Sequence, residues 1–555
     1  MRFLAVCLFL FFFGFVDAEE TGPHVTVHIP MKDGVELTTD LYFPPGSIIN
    51  NEYPCILLRV PAGRRAQPWV QFAALANYGY VVAFQDTRSA LDAEGKAVPY
   101  LDDGWDGHKD GYDTVQWLAK SSFTNGRVGT LGCSAAGITQ LMLAPTAPDS
   151  LKCQYIGQAA SSLYHHAIFP GGQLQKNQVE QWLGLYAPDF SVLAFILGQP
   201  VYNKFWEKFD AVANAHTVDV PALHYGGWYD TFLQGTIDGY VSRQENGREG
   251  AQGKQKLLIG PWGHFWPMDQ RLGDYVVPEH ARAAPIDLSE KRWFDYYLKD
   301  ISNGVAETPN VTYYVMGPFD GSTSSGNVWR HADHWPVPSV ETSLFLSEDH
   351  QLRERSQISE SIITYSSDPK NPVPTIGGRN LFLDIGPKDQ RPIETREDVV
   401  VFTSEPLKED LEVTGRIMAK VYFSCDTPDA DIAVRLTDVY PDGRSVLISD
   451  GLSRIAVPAA LQDKTSKDSP REVTVDLCST SIVFAKGHSI RISIAGSNYP
   501  RYEKNMHVGL LGTNSGKSFV SKNKIYTGKR TPSRIILPIV RKGDMWLNLD
   551  FAAAK

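Results

Sequence analysis

The stretch Gly126-Arg-Val-Gly-Thr-Leu-Gly-Cys-Ser-Ala-Ala-Gly137 decides how this sequence is interpreted. It predicts a short apolar strand, a tight turn at Ser134 and the start of a helix. A serine on such a turn has a strained backbone, so its hydroxyl projects into a cleft instead of a core. The turn needs small residues two positions before and after the serine, where Gly132 and Ala136 stand. Ser134 is therefore a candidate nucleophile, although small residues also surround serines in ordinary strand-to-helix turns.

Two later segments have the same form. Val220-Pro-Ala-Leu-His-Tyr-Gly-Gly-Trp-Tyr-Asp230 is an apolar strand that ends on an acid, and Lys256-Leu-Leu-Ile-Gly-Pro-Trp-Gly-His264 is one that ends on a histidine. A serine hydroxyl needs an imidazole to take its proton, and the imidazole needs a carboxylate to hold its tautomer. A single acid or histidine after a strand is usually structural. The order Ser134, Asp230, His264 is typical of α/β hydrolases.

The surrounding chain predicts the fold. Apolar strands alternate with helices over residues 19–162 and 217–317, which indicates a parallel, doubly wound α/β sheet. Residues 163–216 are helical and aromatic, and we interpret them as a cap over the serine; an ordinary amphipathic pair of the main core is the alternative. From residue 318 to 555, short alternating segments between turn residues predict an all-β sandwich.

Composition and the N-terminus bear on partners and location. The 555 residues carry a formal net charge of −10 and no long Lys/Arg run, which argues against nucleic-acid or anionic-membrane partners. Residues 1–18 have the charge, apolar run and small-residue end of a signal peptide; an uncleaved anchor is the alternative. We therefore expect a secreted, extracellular protein with no stable membrane association.

Export permits disulfides. Cys7 would leave with the signal peptide, and the remaining five cysteines are an odd number. We expect Cys425 to pair with Cys478 and Cys55 with Cys153, which leaves Cys133 free beneath the serine turn. Asn310-Val311-Thr312 is a glycosylation sequon whose use is an open question, because it falls in a predicted strand.

A set of short motifs is spread over nearly the whole chain that follows the signal peptide. They are Lys32-Asp-Gly-Val-Glu-Leu37, Gln85-Asp-Thr-Arg88, Asp110-Gly-Tyr-Asp-Thr114, Gly132-Cys-Ser-Ala-Ala-Gly137, Gly227-Trp-Tyr-Asp230, Gly260-Pro-Trp-Gly-His264, Arg292-Trp-Phe-Asp295, Ile448-Ser-Asp-Gly451 and Ser497-Asn-Tyr-Pro-Arg501.

In this combination the sequence resembles the cocaine-esterase-like and X-Pro dipeptidyl-peptidase (S15-type) serine hydrolases. The resemblance implies an α/β-hydrolase domain with a helical cap, followed by a jelly-roll (galactose-binding-like) domain. It also implies nucleophile Ser134, acid Asp230 and base His264, an acyl-enzyme intermediate, and no metal or organic cofactor.

The sequence departs from this family at two positions. Ala135 replaces the aromatic residue that usually follows the serine, but its backbone N–H can still be one oxyanion donor. Ala62 stands where the family's esterases carry a tyrosine whose hydroxyl is the second donor. Arg64 or another backbone N–H would have to serve there, and the second donor remains unknown at this stage.

The expected activity is hydrolysis of carboxylic esters, with amides as a further option, on a small-molecule ester or peptide substrate. Trp228, Trp262 and Phe265 are candidate walls of an apolar substrate pocket, although aromatic residues at such positions more often belong to the core. An exopeptidase that releases X-Pro dipeptides is one alternative. An inactive relative that acts as a binding protein is the other.

Overall fold

The computed structural model describes residues 24–47, 52–67, 69–103, 107–264, 271–456, 469–509 and 516–541. The predicted signal peptide (residues 1–18, with Cys7) and Phe265 lie outside the described residues. No helix within the described ranges is long and apolar enough to cross a membrane.

The first part of the chain forms a ten-stranded sheet flanked by helices. Its strands and the short pair β9 and β10 are β1 His24–Pro30, β2 Glu36–Tyr42, β3 Tyr53–Val60, β4 Val81–Asp86, β5 Thr124–Cys133, β6 Leu151–Gly157, β7 Ala222–Tyr229, β8 Lys256–Gly263, β9 Arg271–Leu272, β10 Tyr275–Val276, β11 Val311–Val315 and β12 Val328–Ala332. The helices are α1 Arg88–Leu91, α2 Asp110–Lys120, α3 Ala135–Leu143, α4 Lys176–Tyr186, α5 Phe190–Leu197, α6 Lys204–Glu207, α7 Leu233–Asn246 and α8 Glu290–Lys299.

The sheet has the order β1-β2-β4-β3-β5-β6-β7-β8-β11-β12. Neighbouring strands from β4 to β11 run parallel, whereas β2 pairs with β4, and β12 with β11, in antiparallel fashion. Strands β3, β7 and β8 are almost entirely buried because helices cover both faces, as expected for parallel sheets. The predicted α/β sheet is therefore confirmed.

The cap lies between β6 and β7. It contains α4, α5 and α6 together with short helical turns at residues 164–168, 170–172 and 215–217. Helix α5 has the sequence FSVLAFIL, in which Val192 and Ile196 are buried and Phe190 is 74% exposed. The cap thus turns one apolar face inward and leaves another in contact with solvent.

The C-terminal part forms two packed antiparallel sheets. Their strands are β13 Val340–Leu346, β14 Leu352–Arg353, β15 Ser361–Ser367, β16 Val399–Thr403, β17 Leu411–Cys425, β18 Asp429–Val439, β19 Ser445–Ala456, β20 Arg471–Phe484, β21 Ser489–Ala495, β22 Ser521–Thr527 and β23 Arg534–Val540; a short helix, α9, spans Arg391–Glu394. One sheet contains β14-β13-β23-β17-β22-β15 with β20 paired to β17, and the other is β16-β21-β18-β19. This is the predicted all-β sandwich.

The predicted boundary between the two domains lies at residue 317. Strand β12 lies beyond it and still pairs with β11 at the edge of the ten-stranded sheet. An antiparallel edge strand and a sandwich strand share the same period-two pattern, so alternation alone does not distinguish them.

The predicted disulfides are wrong, because all five cysteines of the described residues are free. Strand β5 separates the strands that carry Cys55 and Cys153. Two strand spacings of about 4.8 Å exceed the Cα separation that a disulfide spans. The two thiols also belong to apolar clusters on different sides of the sheet.

The other predicted disulfide, between Cys425 and Cys478, is wrong because the two cysteines lie far apart along the direction of strand β17. Cys478 lies opposite the bulge between Arg416 and Met418, whereas Cys425 pairs with Asn523 at the far end of β17. Seven residues of strand at about 3.3 Å each separate the two positions.

Candidate active site

Ser134, Asp230 and His264 come together at one edge of the sheet. Each follows directly on the last residue of a strand: β5 ends at Cys133, β7 at Tyr229 and β8 at Gly263. The carboxyl ends of neighbouring parallel strands meet at the same edge, where α/β folds bind their ligands. His264 thereby becomes a neighbour of Ser134, 130 positions earlier, and of Asp230, 34 positions earlier.

The turn at Ser134 has the predicted strained backbone. Its φ is +54° and its ψ −127°, values that non-glycine residues rarely adopt. The Ser134 N–H donates to the carbonyl of Gly157 (2.9 Å), which fixes the turn against β6. A Cβ added at Gly132 would lie 2.7 Å from Cβ of Ala136, so the glycine is a steric requirement.

A continuous chain of hydrogen bonds joins the three side chains. His264 Nε2 lies 2.9 Å from Ser134 Oγ, and His264 Nδ1 lies 3.1 Å from Asp230 Oδ2. The other oxygen of Asp230 accepts the N–H of Phe232, and the Phe232 ring packs edge-on against the imidazole at 5.5 Å. Asp230 is completely buried and His264 is 4% exposed. This arrangement can transfer a proton from the serine to the imidazole while the carboxylate holds the ring.

Ala135 begins α3 and lines the pocket beside Ser134. As a first-turn residue it has an N–H that no helical carbonyl can accept, so this donor is available to an oxyanion. The neighbouring thiol is not a rival nucleophile at neutral pH, because burial raises the pKa of Cys133 to about 12.

Arg64 is already engaged elsewhere. Its guanidinium forms ion pairs with Asp86 and, at 3.1 Å, with Asp40, and its backbone N–H donates to Asp86. It does not line the pocket that contains Ser134. Ala62 packs on an apolar cluster beneath the sheet edge and offers no polar side chain.

An apolar pocket leads from Ser134 into the cap. The described residues on its walls include no charged side chain. The wall residues include Tyr100, Ile138, Gln178, Trp182, Phe195, Ile196, Phe205, Trp206, Phe209 and Phe232.

The prediction that Trp228 and Trp262 line the substrate pocket is wrong. Both are buried in the core, where their indole N–H groups donate to the carbonyls of Tyr314 (2.7 Å) and Ala281 (2.9 Å). A residue that precedes the strand end by one or two positions faces a layer of the sheet, not the cleft beyond it. The pocket walls come instead from aromatic residues of the cap and from Phe232, two residues after Asp230. The aromatic composition of the cap segment is the sequence feature that indicates these walls.

Comparison with known proteins places this site in context. Residues 33–194 and 184–266 match the family model of the X-Pro dipeptidyl-peptidases (S15 family), and residues 303–536 match the model of the X-Pro dipeptidyl-peptidase C-terminal non-catalytic domain. The cocaine esterase of Rhodococcus sp. (strain MB1 Bresler) is 29% identical over 93% of this chain and 98% of its own length.

Solved structures share the architecture. An α-amino acid ester hydrolase superposes with a TM-score of 0.75 at 22% identity, covering 95% of this chain and 98% of its own. An aminopeptidase from a marine sediment archaeon, Thaumarchaeota archaeon, superposes with a TM-score of 0.74 at 21% identity, covering 94% and 96%.

The fold and these matches define a hydrolase of the serine type, built on an α/β-hydrolase domain with a C-terminal jelly roll. More specifically, the chain belongs to the cocaine-esterase-like and X-Pro dipeptidyl-peptidase (S15-type) family.

Proposed function

We propose that this protein is a secreted hydrolase of carboxylic esters that works through an acyl-enzyme intermediate on Ser134. The observation that carries the proposal is the hydrogen-bonded series Ser134, His264, Asp230 at the mouth of an apolar pocket. The similarity to a cocaine esterase along nearly the whole chain supports an ester as the substrate. Export is proposed from the N-terminal sequence alone.

In the proposed mechanism, Ser134 Oγ attacks the ester carbonyl carbon as its proton passes to His264 Nε2. The carbonyl π electrons move to the oxygen, which the Ala135 N–H stabilises as an oxyanion. The tetrahedral intermediate collapses, the alcohol leaves with the proton from His264, and the acyl group remains on Ser134. Water activated by His264 then repeats the sequence and releases the acid.

The pocket favours an ester over an X-Pro dipeptide. A dipeptidyl-peptidase must hold a charged N-terminal ammonium group, which requires a carboxylate in the pocket. The described pocket walls carry none. Thr231, which follows the acid Asp230, uses its hydroxyl to donate to Gln178 instead.

Turnover of p-nitrophenyl butyrate and of glycyl-prolyl-p-nitroanilide by the same preparation distinguishes the two activities. We expect kcat/KM for the ester to be larger by at least a factor of 100. A clear preference for the anilide would refute the ester proposal and support the exopeptidase.

A further inference from the structure

Oxyanion stabilisation in acyl transfer normally uses two donors, and losing one costs about 2.7–4 kcal/mol of transition-state stabilisation. Ala135 offers the first. Of the side chains near the position where the family's esterases carry a tyrosine, Ala62 has no polar group, and Arg64 is ion-paired with Asp40 and Asp86. A side-chain donor would therefore have to come from elsewhere on the pocket wall, and a backbone N–H of the loop after β3 is the competing source.

Few polar groups reach this pocket within the described residues. The amide of Gln178 is engaged: its oxygen accepts from Thr231 and Gln175, and its nitrogen donates to the carbonyl of Ala167. The indole N–H of Trp206 donates to the carbonyl of Gln199. Besides Ser134 itself, the hydroxyl of Tyr100 and the indole N–H of Trp182 remain.

Tyr100 has the chemistry of a donor. Its hydroxyl makes no hydrogen bond to any residue within the described ranges, although the side chain is only 9% exposed. Burial raises its pKa well above the usual value, so the phenol keeps its proton at every pH at which the enzyme would work. Because Tyr100 lines the pocket, its hydroxyl can donate to a substrate atom.

The position of Tyr100 is also consistent with this role. Tyr100 shares one buried cluster with Ile138, four residues after Ser134, and with Phe232, two residues after Asp230. Its ring stacks on Trp182 with centroids 5.9 Å apart, which limits the rotation of the side chain. Its φ of +69° is unusual for a residue with a side chain and holds the tyrosine in an orientation that a relaxed loop would not keep.

We propose that the phenol of Tyr100 donates the second hydrogen bond to the oxyanion, from a loop on the cap side of the pocket. This inference rests on the proposed function, since it needs Ser134 to form a tetrahedral intermediate. Tyr100 would then touch the reacting oxygen, opposite the Ala135 N–H, and its bond would strengthen as negative charge develops.

The test is Tyr100→Phe, which removes only the hydroxyl and preserves the stacking on Trp182. For p-nitrophenyl butyrate we expect kcat to fall about 100-fold or more with KM within about twofold, because the lost interaction exists mainly in the transition state. Inhibition by phenylboronic acid, which adds to serine as a tetrahedral anion, should weaken by a similar factor. Inhibition by a neutral, planar ester analogue should not change.

Two variants are matched controls. Tyr186→Phe removes a hydroxyl from a tyrosine that packs on Trp182 with centroids 5.0 Å apart but does not line the pocket, and it should leave kcat unchanged. Trp182→Phe removes the competing indole N–H. The proposal is overturned if Tyr100→Phe is folded and fully active, if it changes KM alone, or if Trp182→Phe carries the loss in kcat instead.

Failure of the proposed function would look different. In that case wild type would not hydrolyse the ester, or Ser134→Ala would hydrolyse it equally well, whatever Tyr100→Phe does.

Discussion

The carboxylate of Asp230 lies 3.1 Å from Nδ1 of His264, and no part of Asp230 is exposed to solvent. This contact determines which imidazole nitrogen faces Ser134 without its proton. Asp230→Asn keeps the shape but donates where it should accept, so the imidazole takes the wrong tautomer. We expect kcat for ester hydrolysis to fall on the order of 10⁴-fold.

Asp238→Asn is the matched control for this variant. Asp238 also binds a histidine, with 3.1 Å between its Oδ2 and His166 Nε2, but it lies outside the pocket of Ser134. Steady-state kinetics should show nearly full activity for Asp238→Asn. Equal losses in the two variants would mean that the carboxylate–imidazole contact at His264 has no special role.

Phe195 and Phe190 lie on the same cap helix but differ in what they contact. Phe195 lines the pocket, whereas Phe190 is 74% exposed and does not. Phe195→Ala should lower kcat/KM for p-nitrophenyl hexanoate about tenfold and leave the acetate nearly unchanged, because only the longer acyl chain loses apolar contact area. Phe190→Ala should change neither substrate. An equal loss for acetate and hexanoate in Phe195→Ala would show that the cap does not hold the acyl chain.

Gly132 can be tested as a steric requirement of the serine turn. An alanine there would press on Ala136 at 2.7 Å and would adopt a φ of +152°. We expect Gly132→Ala to lose about 1–3 kcal/mol of unfolding free energy and, through displacement of Ser134, about 100-fold in kcat. Gly226→Ala on β7, where the nearest atoms lie at 3.5 Å, should be close to neutral in urea unfolding and in kinetics. A fully active Gly132→Ala would refute the steric argument.

Glu290 makes stability depend on pH. Burial raises its pKa from 4.5 to about 7, so the folded state binds more protons than the unfolded state between these values. Glu290 contributes about 3 kcal/mol to the free energy of unfolding. This contribution is fully present below about pH 4.5 and is lost as pH rises through about 7. Glu290→Gln should therefore be more stable than wild type at pH 8.5 but not at pH 4.5, as measured by urea unfolding.

The exposed Glu279 provides the control for this pH experiment. Because the Glu279 side chain is exposed, Glu279→Gln should change the free energy of unfolding by less than about 0.5 kcal/mol. A difference between wild type and Glu290→Gln that stays constant from pH 4.5 to pH 8.5 would contradict the assignment.

The sequence predicted most of the fold, because strand and helix periods are local properties. The three strand ends that carry Ser134, Asp230 and His264 were visible for the same reason, since each apolar run stops at a turn. Their mutual distances were not visible, because they depend on the order of β5, β7 and β8 in the sheet.

The sequence predictions that are wrong, for the pocket residues and the disulfides, depend on side-chain direction and strand order. Trp228 and Trp262 stand close to the strand ends, and only the orientation of the sheet shows that both point into the core. Cys55 and Cys153 lie on two strands of the same sheet, β3 and β6, but β5 runs between them. Tyr100 carried no signal, because it sits in a loop whose path to the pocket depends on tertiary packing.

Labelling with a fluorophosphonate probe tests the central claim most directly, because the probe reacts only with a serine that an adjacent base activates. Wild type should form a covalent adduct at Ser134, identified by mass spectrometry of the peptide, and labelling should abolish ester hydrolysis in proportion. Ser134→Ala should remain folded, unlabelled and inactive. A wild-type protein that is not labelled, or a Ser134→Ala variant that is labelled equally, would contradict the account and support a binding protein on an inert hydrolase fold.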